Sequence, residues 1–403
     1  MQKLSSLLSN NKKGAASLYV VIFTTILFGV ITLSFIRIIL SESRQSSNDD
    51  LSQSAYDAAL AGVEDAKIAV NQYYKCLNSS DSSCNQYRGK TPFGGDCNHS
   101  NLLSFLGRDT GSDSEVKVQE SSSNNSDQAY TCVLLSDETA DYRATLTSDT
   151  RTKVVPLGVR RGSNGNYVNS NLNEAKSIKF SWYSDLNGTK MKNIDNHNGL
   201  FSKKNSATVP PVVSLTLIKA HGEIKLQNLN TDDNGSDYST MILLPTDPSK
   251  EDSTDTITND QITAAGNASS KNSPFQIKCQ SGGDFACEVT LSGLSFNADD
   301  SAFLVISLPY GDEYTDFKVA LKNGSGEDMP FKGVQVSVDS TGRTNQLIRR
   351  VETRLDPADL FFPYPQYELD FDGSPDEEAI RKKFWITNNC WTDSGSCNNN
   401  GQL

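Results

Sequence analysis

Eight cysteines, three histidines and a scatter of carboxylates are the side chains of this 403-residue chain with chemistry to offer. Cys76, Cys84, Cys97, Cys132, Cys279, Cys287, Cys390 and Cys397 all lie beyond the one long apolar run of the sequence. Short C-x-x-C spacings, which a zinc site uses, are absent. In an exported chain such cysteines read as disulfides. Close spacing suggests Cys76 with Cys84, Cys279 with Cys287 and Cys390 with Cys397, leaving Cys97 for Cys132, although eight cysteines admit many other pairings. His99, His197 and His221 stand in polar or loop-like contexts with no serine or cysteine partner motif. No G-x-S-x-G, H-E-x-x-H or phosphate-binding glycine loop occurs. The sequence predicts no enzyme, no cofactor and no metal site. Its nearest approach to an ion loop is Asn230, Asp232 and Asn234 with Gly235, whose alternating oxygens suit calcium. The position where a bidentate acid should stand is Met241, so a polar turn is the expectation. Asp185 to Gly188 reads as a hairpin turn.

Those residues need a scaffold, and the chain announces one early, in "KKGAASLYVVIFTTILFGVITLSFIRIIL" from Lys12 to Leu40. From Ala15 to Ile36 no side chain is charged, and a helix of that length covers a hydrocarbon core of roughly 30 Å. A cleavable secretory signal has a shorter apolar stretch and a small-x-small site directly after it. Here Arg37-Ile-Ile-Leu40 comes next instead. Lys3, Lys12 and Lys13 precede the run, so the positive-inside rule keeps the first residues in the cytoplasm and exports the chain beyond Leu40. The expected location is the cytoplasmic membrane, crossed once, with the C-terminal domain outside.

Leu51, Ala55, Ala58, Ala59, Gly62, Val63, Ala66, Ala69 and Val70 then recur at steps of three and four, the stripe of an amphipathic helix. No proline occurs before Pro92. One rod from Ala15 to about Asn71 is predicted, roughly 80 to 90 Å long. Its stripe is mostly Ala and Gly, which lets another helix or a sheet approach closely. Gly29 is the weak point of the apolar half.

The basic leader ending in Gly14, the apolar helix and its amphipathic continuation resemble the N-terminus of type IV pilins and type II secretion pseudopilins. "KKGAASLYVV" followed by "QSAYDAALAGVEDAKIAV" resembles in particular the PilX-type minor pilins and the K-type pseudopilins. The resemblance implies that a prepilin peptidase cuts between Gly14 and Ala15, with Lys12 and Lys13 setting orientation, and that Ala15 becomes a methylated N-terminus. It divides the chain into a leader, 1–14, and a helix, 15–71, that spans the membrane over 15–40 and is amphipathic over 41–71. Major pilins carry glutamate at the fifth mature position, which here is Tyr19. A buried carboxylate there neutralises a neighbour's amine, so its absence implies a subunit at the filament tip. The implied function is pilus initiation or surface adhesion as a minor subunit. The partners implied are the peptidase, other pilin subunits, the cytoplasmic membrane before assembly and a host-cell or surface ligand. The alternative is a membrane-anchored extracellular adhesin or binding protein outside any filament.

The net charge of −12 and pI near 4.8 argue against a nucleic-acid partner. The densest basic cluster, Arg343, Arg349, Arg350 and Arg354, reads as a solvated face. Residues 72–130 are rich in Ser, Asn, Asp and Gly and read as a connecting region. Residues 131–403 read as a β-rich ectodomain. "YTCVLLS", "YRATLTS", "SIKFSWYS", "VVSLTLIKA", "TMILLP", "FQIKC", "CEVTLS", "AFLVISLPY", "DFKVAL" and "VQVSVD" have strand character. "STGRTNQLIRRVETRL" reads as a last strand or a short helix. "FFPYPQYELDF" and "FWITNNCWTDSGSC", with Trp385 and Trp391, read as aromatics closing a core. The predicted class is α+β with β dominant: a long N-terminal helix followed by a disulfide-containing, sandwich-like domain.

Overall fold

The computed structural model describes residues 11–77, 81–94, 97, 100–107, 115–119, 128–147, 149–161, 166–169, 171–184, 210–221, 237–246, 253–266, 274–280, 283–309 and 315–357. Helix α1 runs unbroken over Asn11–Cys76, so it begins before Ala15 and continues past the expected end at Asn71. No proline interrupts it. The hydroxyls that would loosen its apolar half are turned back on its own carbonyls, Thr24 on Val20 and Val21, Thr32 on Phe28 and Ser34 on Val30. Its last turn is held by a disulfide from Cys76 to Cys84 and by edge-on ring contacts of Tyr73 and Tyr74 with Phe93.

Two short helices come later in the chain, α2 (Ser100–Leu106) and α3 (Asn259–Gly266). The strands are β1 (Val116–Gln119), β2 (Gln128–Thr139), β3 (Tyr142–Leu146), β4 (Thr152–Arg161), β5 (Asn166–Val168), β6 (Ala175–Ser184), β7 (Val213–His221) and β8 (Asp237–Thr246). They continue with β9 (Thr256–Thr258), β10 (Phe275–Lys278), β11 (Phe285–Ser292), β12 (Asp300–Ser307), β13 (Thr315–Asn323), β14 (Asp328–Met329), β15 (Phe331–Thr344) and β16 (Leu347–Leu355). The chain is therefore α+β with β dominant. Residues 72–130 are not purely connecting, because they include the end of α1, then α2, β1 and the start of β2. The stretch from Ser340 is strand on both sides of a two-residue turn.

The chain divides into two compact units. The first comprises Met1–Ala66, Asp96–Val133 and Asp339–Glu352. It contains a four-stranded sheet in the order β1-β2-β15-β16. A disulfide joins Cys97 to Cys132 of β2, and Arg343 of β15 pairs with Glu115 just ahead of β1.

The second unit comprises Lys67–Gly95, Leu134–Val338 and Thr353–Leu403. Two six-stranded sheets, β10-β8-β7-β12-β4-β5 and β14-β13-β6-β11-β9 with β3 beside β13, share one core. Phe180 stacks on Trp182, which is fully buried and donates its indole N–H to the Pro211 carbonyl. The sheets are stitched along one edge. Thr254 bridges to Ile277 of β10, and the same segment then pairs with β11 through β9. A disulfide from Cys279, next to β10, to Cys287 of β11 closes that seam.

Strand β4 carries Pro156 and Gly158, both unfavourable inside a strand. Its register against β12 shifts between Ala302 and Phe303, where Phe303 faces Pro156. A side chain at Gly158 would run into Leu172, 2.8 Å from its Cδ2. Proline at a bulge and glycine under a packed leucine are the physical reasons that this strand has no plain strand signature in sequence.

Candidate membrane and assembly helix

Helix α1 carries two surfaces in succession. Every residue from Leu18 to Asp50 is exposed, including Val20, Phe23, Phe28, Leu33 and Phe35. Over Leu18 to Leu40 this surface is apolar apart from Arg37 and a few hydroxyls, and an exposed apolar patch of that extent marks contact with a membrane or another protein. The helix is long and apolar enough to cross a membrane. Tyr19, near the start of this surface, is 74% exposed. Gly29 has open space around it among the described residues.

The second surface is the stripe of small residues. Ala55, Ala58, Ala59, Gly62, Val63 and Ala66 are buried, and Leu51 is half-buried. Within the first unit this stripe lies on β2 and β15. A methyl group at Gly62 would collide with the Ser340 hydroxyl and press on Val133 and Tyr130. A methyl group at Gly342 would collide with the backbone of Ala55, Ala58 and Ala59. Val338, Ser340, Gly342 and Thr344 alternate on the buried face of β15, so small residues meet small residues and helix and strand touch through their backbones.

Polar bonds fix the helix on this bed. Tyr130 donates its hydroxyl hydrogen to Asp65, 2.8 Å away, Gln128 donates to Ser54, and Arg349 of β16 donates to the Ser52 hydroxyl. The hydroxyls of Ser340 and Thr344 are buried without a partner. Burying them unpaired costs free energy.

Lys12, Lys13, Gly14 and Ala15 lie in the opening turns of α1, so the expected cleavage point is not marked by a break in the helix. Three cysteine pairs are joined: Cys76 with Cys84, Cys97 with Cys132 and Cys279 with Cys287. Cys390, Cys397, Trp385 and Trp391 lie outside the described residues. So do His99, His197, Asp185 to Gly188, and Asn230, Asp232, Asn234 and Gly235. Met241, which stands where the loop's strongest calcium ligand would be, is fully buried in β8. The arginine cluster is not a free basic patch. Arg343 is bound to Glu115, Arg349 to Ser52, Arg350 to Asp339 and Arg354 to Asp141.

Two carboxylates of the second unit are strongly held. Arg354 Nη1 sits 2.8 Å from Asp141 Oδ1 and 3.0 Å from Gln335 Oε1, and Arg143 pairs with the other Asp141 oxygen. Burial pushes the Asp141 pKa up, but hydrogen bonds from Arg143 and Arg354 outweigh it and leave it below the ordinary value. Asp300, its side chain 1% exposed, accepts from the Asn297 backbone N–H at 2.7 Å and lies 3.2 Å from His221 Nδ1. Burial raises its pKa as well, and the bonds from Asn297 and His221 with the charge of Lys219 bring it below the ordinary value. Among the described residues no group of three His, Cys, Asp or Glu side chains converges as a metal site.

The α1 stripe is legible in the sequence, and its counterpart, Gly342, is not. The one signal for it is a lone glycine inside an alternating strand, which often marks the close approach of another backbone. No protein-family model matches the chain, and no curated protein matches it.

Proposed function

We propose that this chain is a minor, tip-type pilin-like subunit of a type IV pilus or related filament, acting in pilus initiation or surface adhesion. The observation that carries this reading is the succession of surfaces along one unbroken helix, bare and apolar over Leu18 to Leu40 and packed through Ala and Gly over Ala55 to Ala66. The bare half requires lipid before assembly and other apolar helices afterwards. The packed half fixes the first unit to its end. Lys12 and Lys13 orient the helix in the cytoplasmic membrane, and a prepilin peptidase cuts between Gly14 and Ala15. The other partners in this reading are pilin subunits and a host-cell or surface ligand. No enzymatic activity belongs to it.

Tyr19 supports the tip. A subunit inside a shaft would present a carboxylate there to neutralise a neighbour's amine in an apolar surrounding. Tyrosine carries no such charge, and the terminal place makes no such demand. Immunogold labelling of surface filaments should find one site, at a filament end. Label distributed along the shaft would overturn the tip assignment.

Tyr19 also favours a second reading, a membrane-anchored adhesin that never enters a filament. In that case labelled filaments are absent and residues 1–14 remain on the protein.

A further inference from the structure

The four-stranded sheet of the first unit ends on β16, and among the described residues no strand pairs with its outer edge. Exposed edges are usually blunted by shortness, proline, a bulge or charges lying over them. The opposite edge, β1, is four residues long. β16 has nine residues, with neither proline nor glycine. Its arginines are drawn away from the edge, Arg349 to Ser52 and Arg350 to Asp339, while Ile348 stays 60% exposed.

The turn sets which groups this edge offers. β15 ends at Thr344 and β16 begins at Leu347, leaving Asn345 and Gln346 as the loop, with Asn345 at φ 54°. In a two-residue hairpin the flanking residues exchange both backbone bonds, and bonding then alternates along the strand. Leu347, Arg349, Val351, Thr353 and Leu355 therefore bond inward. Ile348, Arg350, Glu352 and Arg354 present their N–H and C=O groups outward.

We propose that β16 is a self-association site, pairing antiparallel with β16 of a second copy about a two-fold axis at Val351. In that register Arg350, bound to Asp339 through Nε and Nη2 and so left with Nη1, faces Glu352 of the second copy, and the pair occurs twice. Leu347 faces Leu355, also twice, and Val351 faces its own equivalent. Opposite charges directly across strands stabilise pairing and like charges oppose it. Moving the axis to Arg350 sets two arginines against each other, and moving it to Glu352 sets two glutamates together. The strand is complementary to itself in the Val351 register, and this complementarity selects a second copy as the occupant.

The axis stands normal to the sheet, and α1 lies along the sheet's face through Gly62 and the Ala55 to Ala59 backbone. The two-fold turns α1 end for end. Two paired copies cannot share one bilayer with the same orientation, so the contact joins copies on facing surfaces. That consequence rests on the membrane-anchored reading, whereas the pairing does not.

Val351 and its equivalent form a non-hydrogen-bonded pair with Cα atoms ~4.5 Å apart, within disulfide range. The test uses the full chain in detergent micelles, carrying Val351→Cys, under mild oxidation and read on a non-reducing gel. Val351→Cys should give most of the protein as a covalent dimer. Thr353→Cys, which faces Arg349 rather than itself, should give little. Adding Glu352→Arg to Val351→Cys should slow cross-linking at least ten-fold. Thermal melting checks that each variant is folded, and light scattering of unmodified protein with and without Glu352→Arg gives an independent reading of mass. Equal cross-linking at 351 and 353, or a folded Val351→Cys protein that stays monomeric because the chain's own residues 358–403 or another segment covers the edge, would overturn the proposal.

Discussion

Gly342 of β15 rests on the backbone of α1 at Ala59, with no room between them for a methyl group. The neighbours are main-chain atoms of a helix, which cannot rotate away as a side chain can. Gly342→Ala should destabilise the first unit by about 1–3 kcal/mol, the usual cost of overpacking. Gly62→Ala should cost less, because its nearest neighbour is the Ser340 hydroxyl, which a rotamer change can move. Urea unfolding of both variants, with hydrogen exchange of the α1 amides near Ala59, checks the order. A Gly342→Ala protein as stable as wild type would refute the close dock.

The disulfides should rank by the loop each closes. Cys97–Cys132 spans 35 residues of sequence, against 8 for Cys76–Cys84 and 8 for Cys279–Cys287. Chain entropy then assigns about 3.8 kcal/mol to the first and about 2.5 kcal/mol to each of the others. Paired Cys→Ser variants, unfolded in denaturant, should show that order. A larger loss at Cys279–Cys287 would show that closing the seam between sheets outweighs loop length.

Acid should weaken the second unit through Asp141 and Asp300. Both folded-state pKa values lie below the ordinary carboxylate value, so the unfolded chain takes up protons first as the pH falls. Their stabilisation is complete above the unfolded value near pH 4 and drains away as the pH drops through the lowered folded values. Asp141→Asn should lower stability at pH 7 and flatten this acid limb, read as melting temperature against pH. An unchanged acid limb in Asp141→Asn and Asp300→Asn alike would contradict the assignment.

Much of this architecture is legible in the sequence because burial imposes a period on it. The α1 stripe at steps of three and four marks a buried helix face, and of its nine residues only Leu51 stops short of full burial. Strands such as β6 and β7 show their apolar runs plainly. Hidden from sequence are the elements whose local preference is overridden by packing. β4 is one, with proline at its bulge and glycine under Leu172. The dock of Gly342 is another, since neither residue of a long-range contact names its partner. The arginine cluster is a third case, because Arg354 meets Asp141 at a sequence separation of 213, and neither residue names the other.

The central claim is that α1 is the processed, membrane-inserted helix of a pilin-like subunit, and the mass of the mature N-terminus tests it most directly. Protein isolated from its own cells and analysed intact and by N-terminal peptide mass spectrometry should begin at Ala15, with a methylated amine. Gly14 replaced by a bulky residue should leave residues 1–14 attached. A wild-type chain that retains Met1, or one cut beyond Leu40, would contradict the account.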